Sequence, residues 1–235
     1  GEGLSAELGD SDPQQTGVLP KPVIALNPEA VATARVANQF LSQAKVILAE
    51  HSPANNLLLR GFSRRPGWPL MQGIYKLTPA AIASYPMYRG LARLVGMDVL
   101  PTGSTMDEEF RTLDMNYEKY DFFFLHIKGA DSAGEDGDFD RKVAVIEEVD
   151  TLLPRLTSFN PDVLVVTGDH STPALLKAHS WHPVPVLLSS RWCRPDKVNK
   201  FSESACITGG LGRFPATEIM PLAMAHALKL NKFGA

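Results

Sequence analysis

Short apolar runs alternate along this chain with longer segments whose apolar residues recur at helical spacing. Residues 23–26, 56–59, 82–83, 99–100, 120–127, 163–167 and 185–189 read as strands, and 30–50, 86–95, 107–119, 139–159 and 216–230 as helices. Asn27 and Pro28 supply a cap and a first helical position for the 30–50 segment, and its Val31, Ala34, Phe40, Leu41, Ile47 and Leu48 predict a face laid on another surface. Strand and helix alternate in order, which predicts an α/β fold with a doubly wound, largely parallel sheet and helices on both faces. Residues 1–22, rich in Gly, Pro, Gln and Asp, read as irregular.

Two of the strands end in chemistry. The run Val163-Leu164-Val165-Val166 leads into Thr167-Gly168-Asp169-His170-Ser171-Thr172, with His179 nine residues beyond His170. Open α/β sheets place ligands at the carboxyl ends of their strands, and a carboxylate beside an imidazole suits a divalent metal such as zinc or manganese. A plainer alternative has Asp169 capping a helix that begins near Ser171. The 120–127 run leads into a second acidic loop in which Asp131 and Glu135 are four apart, and one helical turn puts both carboxylates on one face. If both junctions belong to one sheet, they form a composite metal site better than either does alone. His126 closes its strand nearby and His182 is a neighbour of His179, whereas Trp68, Trp192 and Phe122–Phe124 read as packing.

Composition narrows the partners. The 235 residues are 44% hydrophobic and 21% charged, enough for one full core, and a net charge of −3 leaves no basic footprint for nucleic acid or an anionic membrane. No apolar run approaches the ~20 residues that cross a bilayer. Two cysteines, Cys193 and Cys206, read as ordinary thiols of a reducing, cytoplasmic setting.

Several longer segments carry a resemblance. They are His126-Ile127-Lys128 with Asp131, the run from Val165 to Pro173, Ala178-His179-Ser180 ahead of Pro183–Val186, and Gly-Gly-Leu-Gly-Arg at 209–213. Leu59-Arg60-Gly61, Tyr88-Arg89-Gly90 and Leu-Ser-x-x-x-x-Asp-Ser-Asp-Pro at 4–13 belong to the same set. Together they resemble the archaeal-type cofactor-independent phosphoglycerate mutases of the alkaline phosphatase superfamily, over nearly the whole chain.

That resemblance implies an alkaline-phosphatase-like fold and a two-metal enzyme interconverting 3-phosphoglycerate and 2-phosphoglycerate through a phosphoserine. Two divalent ions are implied, manganese or zinc and conceivably magnesium, one served by Asp131 and His179 and the other by Asp169 and His170. Glu135 stands where the family has a histidine, which changes the charge and the metal preference of the first site. Arg60, Arg89 and Lys128 become candidates for the substrate phosphate.

The family's opening strand with a metal-binding Asp, and its phosphorylated Ser, have no counterpart before Val23. The expectation is therefore a fragment arising by truncation, proteolysis or a split gene, with Gly1 a tag remnant. Residues 1–22 would be a linker or the end of the inserted substrate-closing domain, and 23–235 the metal-binding domain. Such a fragment would be inactive until joined by the missing amino-terminal segment. Another phosphatase or phosphomutase of the same superfamily, or a noncatalytic metal-binding domain suggested by Glu135, stays open.

Overall fold

The computed structural model describes residues 3–230, which divide into two compact units, Gly1–Gly67 and Trp68–Ala235. Residues 1–22 fall in the first unit together with the segment that follows them.

In the first unit a 3-10 turn, Pro28–Ala30, leads into helix α1, Val31–Leu48. Asn27 caps the turn by accepting the Ala30 N–H at 2.9 Å. The packed face of α1 keeps Ala34 and Leu41 of the predicted one but not its Val31, Phe40 and Ile47. Ala30, Ala34, Ala37 and Leu41 meet Leu8, Val23, Ala25 and Phe62, while Val31, Phe40 and Ile47 are exposed. Small side chains let the irregular segments approach the helix closely, and Asn38 ties it to Val23 by bonding both its N–H and its carbonyl, at 2.9 and 2.7 Å. Neither strand expected here forms a ladder. Ala25 makes one isolated bridge to Leu8, and residues 56–59 bond through Leu59 to Ser11, whose backbone and hydroxyl take the place of a strand partner.

The second unit runs α2 (Met71–Tyr75), β1 (Pro79–Ala83), α3 (Pro86–Leu94), β2 (Asp98–Val99), α4 (Met106–Asn116), β3 (Phe122–His126), α5 (Gly129–Asp136), α6 (Phe139–Ser158), β4 (Val163–Thr167), β5 (Val186–Ser190), α7 (Glu203–Cys206) and α8 (Ile219–His226). β2, β1 and β3 form a three-stranded parallel sheet, with β1 central and fully buried. This is a mixed α/β architecture with a parallel sheet flanked by helices, as the alternation predicted. Ala80 and Ile82 pack with Leu100, Leu113, Phe123, Leu125, Leu156 and Phe159, which confirms the packing role of Phe123. A capping box between Thr105 and Glu108 starts α4, and Gly137, at a positive φ of 75°, ends α5 so that Asp138 can cap α6 one residue later.

The 163–167 strand departs from the single-sheet expectation. β4 pairs antiparallel with β5 in a separate two-stranded sheet. A parallel partner needs a crossover, usually helical, and no helix lies between residues 168 and 185, so the chain returns antiparallel. The final helix also differs, being a 3-10 turn at Ala216–Glu218 followed by α8, which ends at His226. Both cysteines are free, and among the described residues no helix is long and apolar enough to cross a membrane.

One buried acid in this core has a pH signature. Glu109 of α4 is buried and accepts the Ser84 N–H at 3.1 Å, and burial raises its pKa above the ordinary Glu value. A raised folded pKa means that the native state holds the proton more tightly. The associated stability is complete below the unfolded pKa, about 4.3, and is lost as pH rises through the higher folded value. Glu109→Gln keeps an oxygen for Ser84 but cannot ionise. Urea unfolding is expected to show the variant gaining on the wild type as pH is raised from 4 to 7, whereas a constant difference would mean that Glu109 does not titrate differently on folding.

Candidate metal centre

The candidate ligands arrive from two strand ends. β3 stops at His126, and Lys128 precedes α5, whose first turn carries Asp131 and whose second carries Glu135. The acidic loop is thus more than two helical turns long, so both carboxylates point from one face, as their spacing predicted. β4 stops at Thr167, and the following loop folds back on itself through a bridge between Ser171 and Ser180, closed by the Ser180 N–H to the Ser171 carbonyl at 2.9 Å. That bridge brings His170 and His179, nine apart in sequence, to a ring separation of 3.8 Å. No helix begins at Ser171, so Asp169 caps none; its Oδ1 accepts the His170 N–H at 3.0 Å.

The two segments meet at Asp131. Its Oδ1 lies 3.8 Å from His170 Nδ1 and 3.8 Å from His179 Nε2, and one donor atom from each of Asp131, His170 and His179 falls within 4.8 Å of the others. Its Oδ2 is held by the Lys128 ammonium, which also lies 3.6 Å from Glu135. Glu135 in turn stands 3.5 Å from His179 Nε2. On the other side of His170, Asp169 Oδ2 lies 3.4 Å from Nε2 and accepts the Tyr88 hydroxyl. The strand ends belong to different sheets, yet their loops converge.

Contact between the loops has its own requirements. Thr172 is buried, donates its hydroxyl to Asp131 and lies 3.0 Å from His170 Nδ1. Its carbonyl accepts the Lys142 ammonium of α6 at 2.5 Å and faces Gly134, where a Cβ would come within 2.2 Å of the carbonyl oxygen. Glycine is therefore the residue that permits α5 to approach this loop. Thr172 and Tyr88 lie inside motifs the sequence shows but carry no role there, and for Gly134 and Lys142 the only signal is proximity to those motifs.

The electrostatics favour carboxylates. Burial opposes ionisation of Asp131, but hydrogen bonds from Lys128 and Thr172 and the Lys128 charge outweigh it and hold the pKa below the usual Asp value. Burial likewise opposes ionisation of Asp169, and is outweighed by the Tyr88 hydrogen bond and the charge of His170. Burial, reinforced by the Asp169 contact, raises the Tyr88 phenol, which stays protonated and able to donate. His126, stacked under Tyr88, is pushed down by burial.

The phosphate candidates are placed differently. Lys128 is committed to the two α5 carboxylates. Arg89 donates to the Ala83 carbonyl at 3.0 Å, at the carboxyl end of β1. Arg60 belongs to the first unit, where it pairs with Asp12 at 3.2 Å. His182 faces Ser180 at 2.9 Å and stacks on Trp181.

The donor set suits a divalent cation. Two ligand atoms bonded at about 2.1 Å to one ion can be at most about 4.2 Å apart, and the Asp131-to-histidine separations of 3.8 Å lie inside that limit. One carboxylate oxygen and two imidazole nitrogens are ligands that zinc and manganese both accept.

Comparison with known proteins shows the family. The profile of the metalloenzyme superfamily matches residues 50–226. A Thermus thermophilus protein named "Probable 2,3-bisphosphoglycerate-independent phosphoglycerate mutase" is 49% identical over 238 residues, covering 100% of this chain and 59% of its own length. A Thermotoga protein of the same name is 48% identical over 235 residues with the same coverage. Among solved structures, a Pyrococcus horikoshii protein superposes with a TM-score of 0.77 at 29% identity, over 88% of this chain and 60% of its own. The cofactor-independent phosphoglycerate mutase of Thermoplasma acidophilum gives 0.63 at 28% identity, over 97% and 60%. The chain thus spans about three fifths of the length of the proteins it matches.

Proposed function

Because this chain belongs to the metalloenzyme superfamily, we propose that it carries cation ligands of a metal-dependent phosphoglycerate mutase, interconverting 3-phosphoglycerate and 2-phosphoglycerate. The observation that carries the proposal is the convergence of Asp131 on α5 with His170 and His179 on the loop after β4, with one ligand atom from each within 4.8 Å of the others. The activity proposed is that of the whole protein. Support for the substrate comes from the names of relatives 48–49% identical along the full chain.

In this reading Asp131, His170 and His179 hold one divalent ion, with Glu135 beside it, and Asp169 offers oxygen to a second on the far side of His170. Manganese or zinc fits these donors. Bound cations supply charge stabilisation for a transferring phosphoryl group and lower the pKa of an attacking hydroxyl. Asp131 is kept ionised, and hence ready to ligate, by Lys128 and Thr172. Lys128, after β3, and Arg89, at the end of β1, are the cationic groups of this unit proposed to meet a substrate phosphate. A phosphoserine route needs a serine nucleophile, which the resemblance places outside these ligands.

Removal of metal tests the reading directly. Treating the whole protein with a chelator is expected to abolish mutase turnover, with Mn²⁺ or Zn²⁺ restoring it. His179→Ala is expected to need at least about 10-fold more metal for half-restoration. Turnover of 3-phosphoglycerate indifferent to chelation, or equal metal demand in His179→Ala, would remove the proposal.

A further inference from the structure

We propose that Tyr88 is a positioning residue for the cation ligands: its hydroxyl, aimed by the stacking of its ring on His126, holds the Asp169 carboxylate in the orientation that serves a cation. This inference rests on the ligand reading above.

Asp169 has little else to hold it. Its side chain is 48% exposed, and Oδ1 is engaged only by the backbone N–H of the next residue, which follows the loop wherever it moves. Oδ2 takes the Tyr88 O–H, a bond spanning 81 residues and the only hydrogen bond to that carboxylate, among the described residues, from outside its own loop. Each oxygen keeps a lone pair, so the two contacts orient the carboxylate without using it up.

The donor is itself held. Tyr88 is in the first turn of α3, which starts directly after the buried strand β1 with Pro86 at its amino end. Its ring stacks on His126 with centroids 3.7 Å apart and planes inclined by 26°. Tyr85 and Phe124 flank it at 6.1 and 6.4 Å. His126 Nδ1 is buried without a hydrogen-bond partner among the described residues. A buried imidazole nitrogen left without a partner is unfavourable, and what the ring supplies in return is a flat face at the end of β3 on which Tyr88 rests. The chain thus reads from rigid strand to ring, from ring to phenol, and from phenol to ligand. Outer partners of this kind keep a ligand in position, and losing one typically weakens metal binding 10–100-fold.

The test is Mn²⁺ titration by calorimetry on the wild-type chain and on Tyr88→Phe, His126→Ala and His126→Phe, with the metal-free thermal midpoint of each. Tyr88→Phe keeps the ring and deletes only the donor. It is expected to bind Mn²⁺ roughly 10-fold more weakly, with a metal-free midpoint close to that of the wild type. His126→Ala is expected to weaken binding to a similar degree, and His126→Phe, which restores a flat face, to recover most of the loss. Wild-type affinity in Tyr88→Phe overturns the inference; should that variant not fold, equal affinities in His126→Ala and His126→Phe overturn it. Asp131→Ala separates the two readings. If it weakens binding while Tyr88→Phe does not, only the role of Tyr88 falls. If the wild type binds no Mn²⁺, or Asp131→Ala binds as well as the wild type, the ligand reading falls and this inference falls with it.

Discussion

Asp131→Ala is expected to cost the protein its divalent-cation affinity by a factor on the order of 100 or more, and the whole enzyme its turnover with it. Asp131 is where the two loops meet: one oxygen faces both imidazoles at 3.8 Å, and the other holds Lys128. Truncation leaves two imidazole nitrogens as the only pair in the cluster and leaves the Lys128 ammonium beside it with Glu135 alone as its counter-charge, where it repels an incoming cation. Asp131→Asn is the informative companion, because it keeps an oxygen for Thr172 and removes only the charge. The order expected in a Mn²⁺ titration is wild type, then Asn, then Ala. If Asn binds as well as Asp, the carboxylate charge is not what draws the ion.

Gly134→Ala is expected to destabilise the fold and weaken the site together, although it touches no ligand. In a helix, Ala is favoured over Gly by about 1 kcal/mol, so propensity alone predicts a gain. Against it stands a Cβ within 2.2 Å of the Thr172 carbonyl oxygen, a backbone atom that cannot swing away. Thr172 is buried and its carbonyl is also tied to Lys142, so the strain must part α5 from the loop. Overpacking of this kind typically costs about 1–3 kcal/mol and occasionally more, and a net loss of about 2 kcal/mol would lower the thermal midpoint by roughly 4–8 °C in a chain this long. Because α5 carries Asp131 and the loop carries His170 and His179, cation affinity should fall at least 10-fold with it. Gly90→Ala in α3 is the control: a Cβ there meets nothing within 4 Å, and the variant should be as stable as the wild type or slightly more so. A stable Gly134→Ala with unaltered Mn²⁺ binding would show that the close approach is not needed.

How far the chain could be read in advance depended on how local each cause was. Strands and helices of the second unit announced themselves in runs such as 122–126, 139–158 and 163–167, where period and length decide the element with little help from elsewhere. Caps were equally local at Asn27. Segments 23–26 and 56–59 misled because an apolar run becomes a strand only if a partner ladder is present, and here single contacts to Leu8 and Ser11 took its place. The face of α1 was legible at Ala34 and Leu41 but not at Val31, Phe40 and Ile47, where size was read as burial, whereas the alanines are the side that lets neighbours come close. At the site, Asp131, Asp169 and His170 were legible as chemistry at strand ends, and His179 through the family resemblance. Thr172 and Tyr88, which hold them, were not, because a hydroxyl gains such a role only from what stands opposite it.

Residue types and short-range spacing were thus enough to define the mixed α/β order, the acidic turn with Asp131 and Glu135 on one face, and the candidate ligands. Folding alone settled that β4 turns back onto β5 in a sheet of its own, that Asp131 meets both histidines, and that Tyr88 reaches Asp169 across 81 residues. The physical reason is range. Periodicity and capping act within a few residues, but the distance between two loops is set by everything packed beneath them, down to one glycine and the carbonyl it admits.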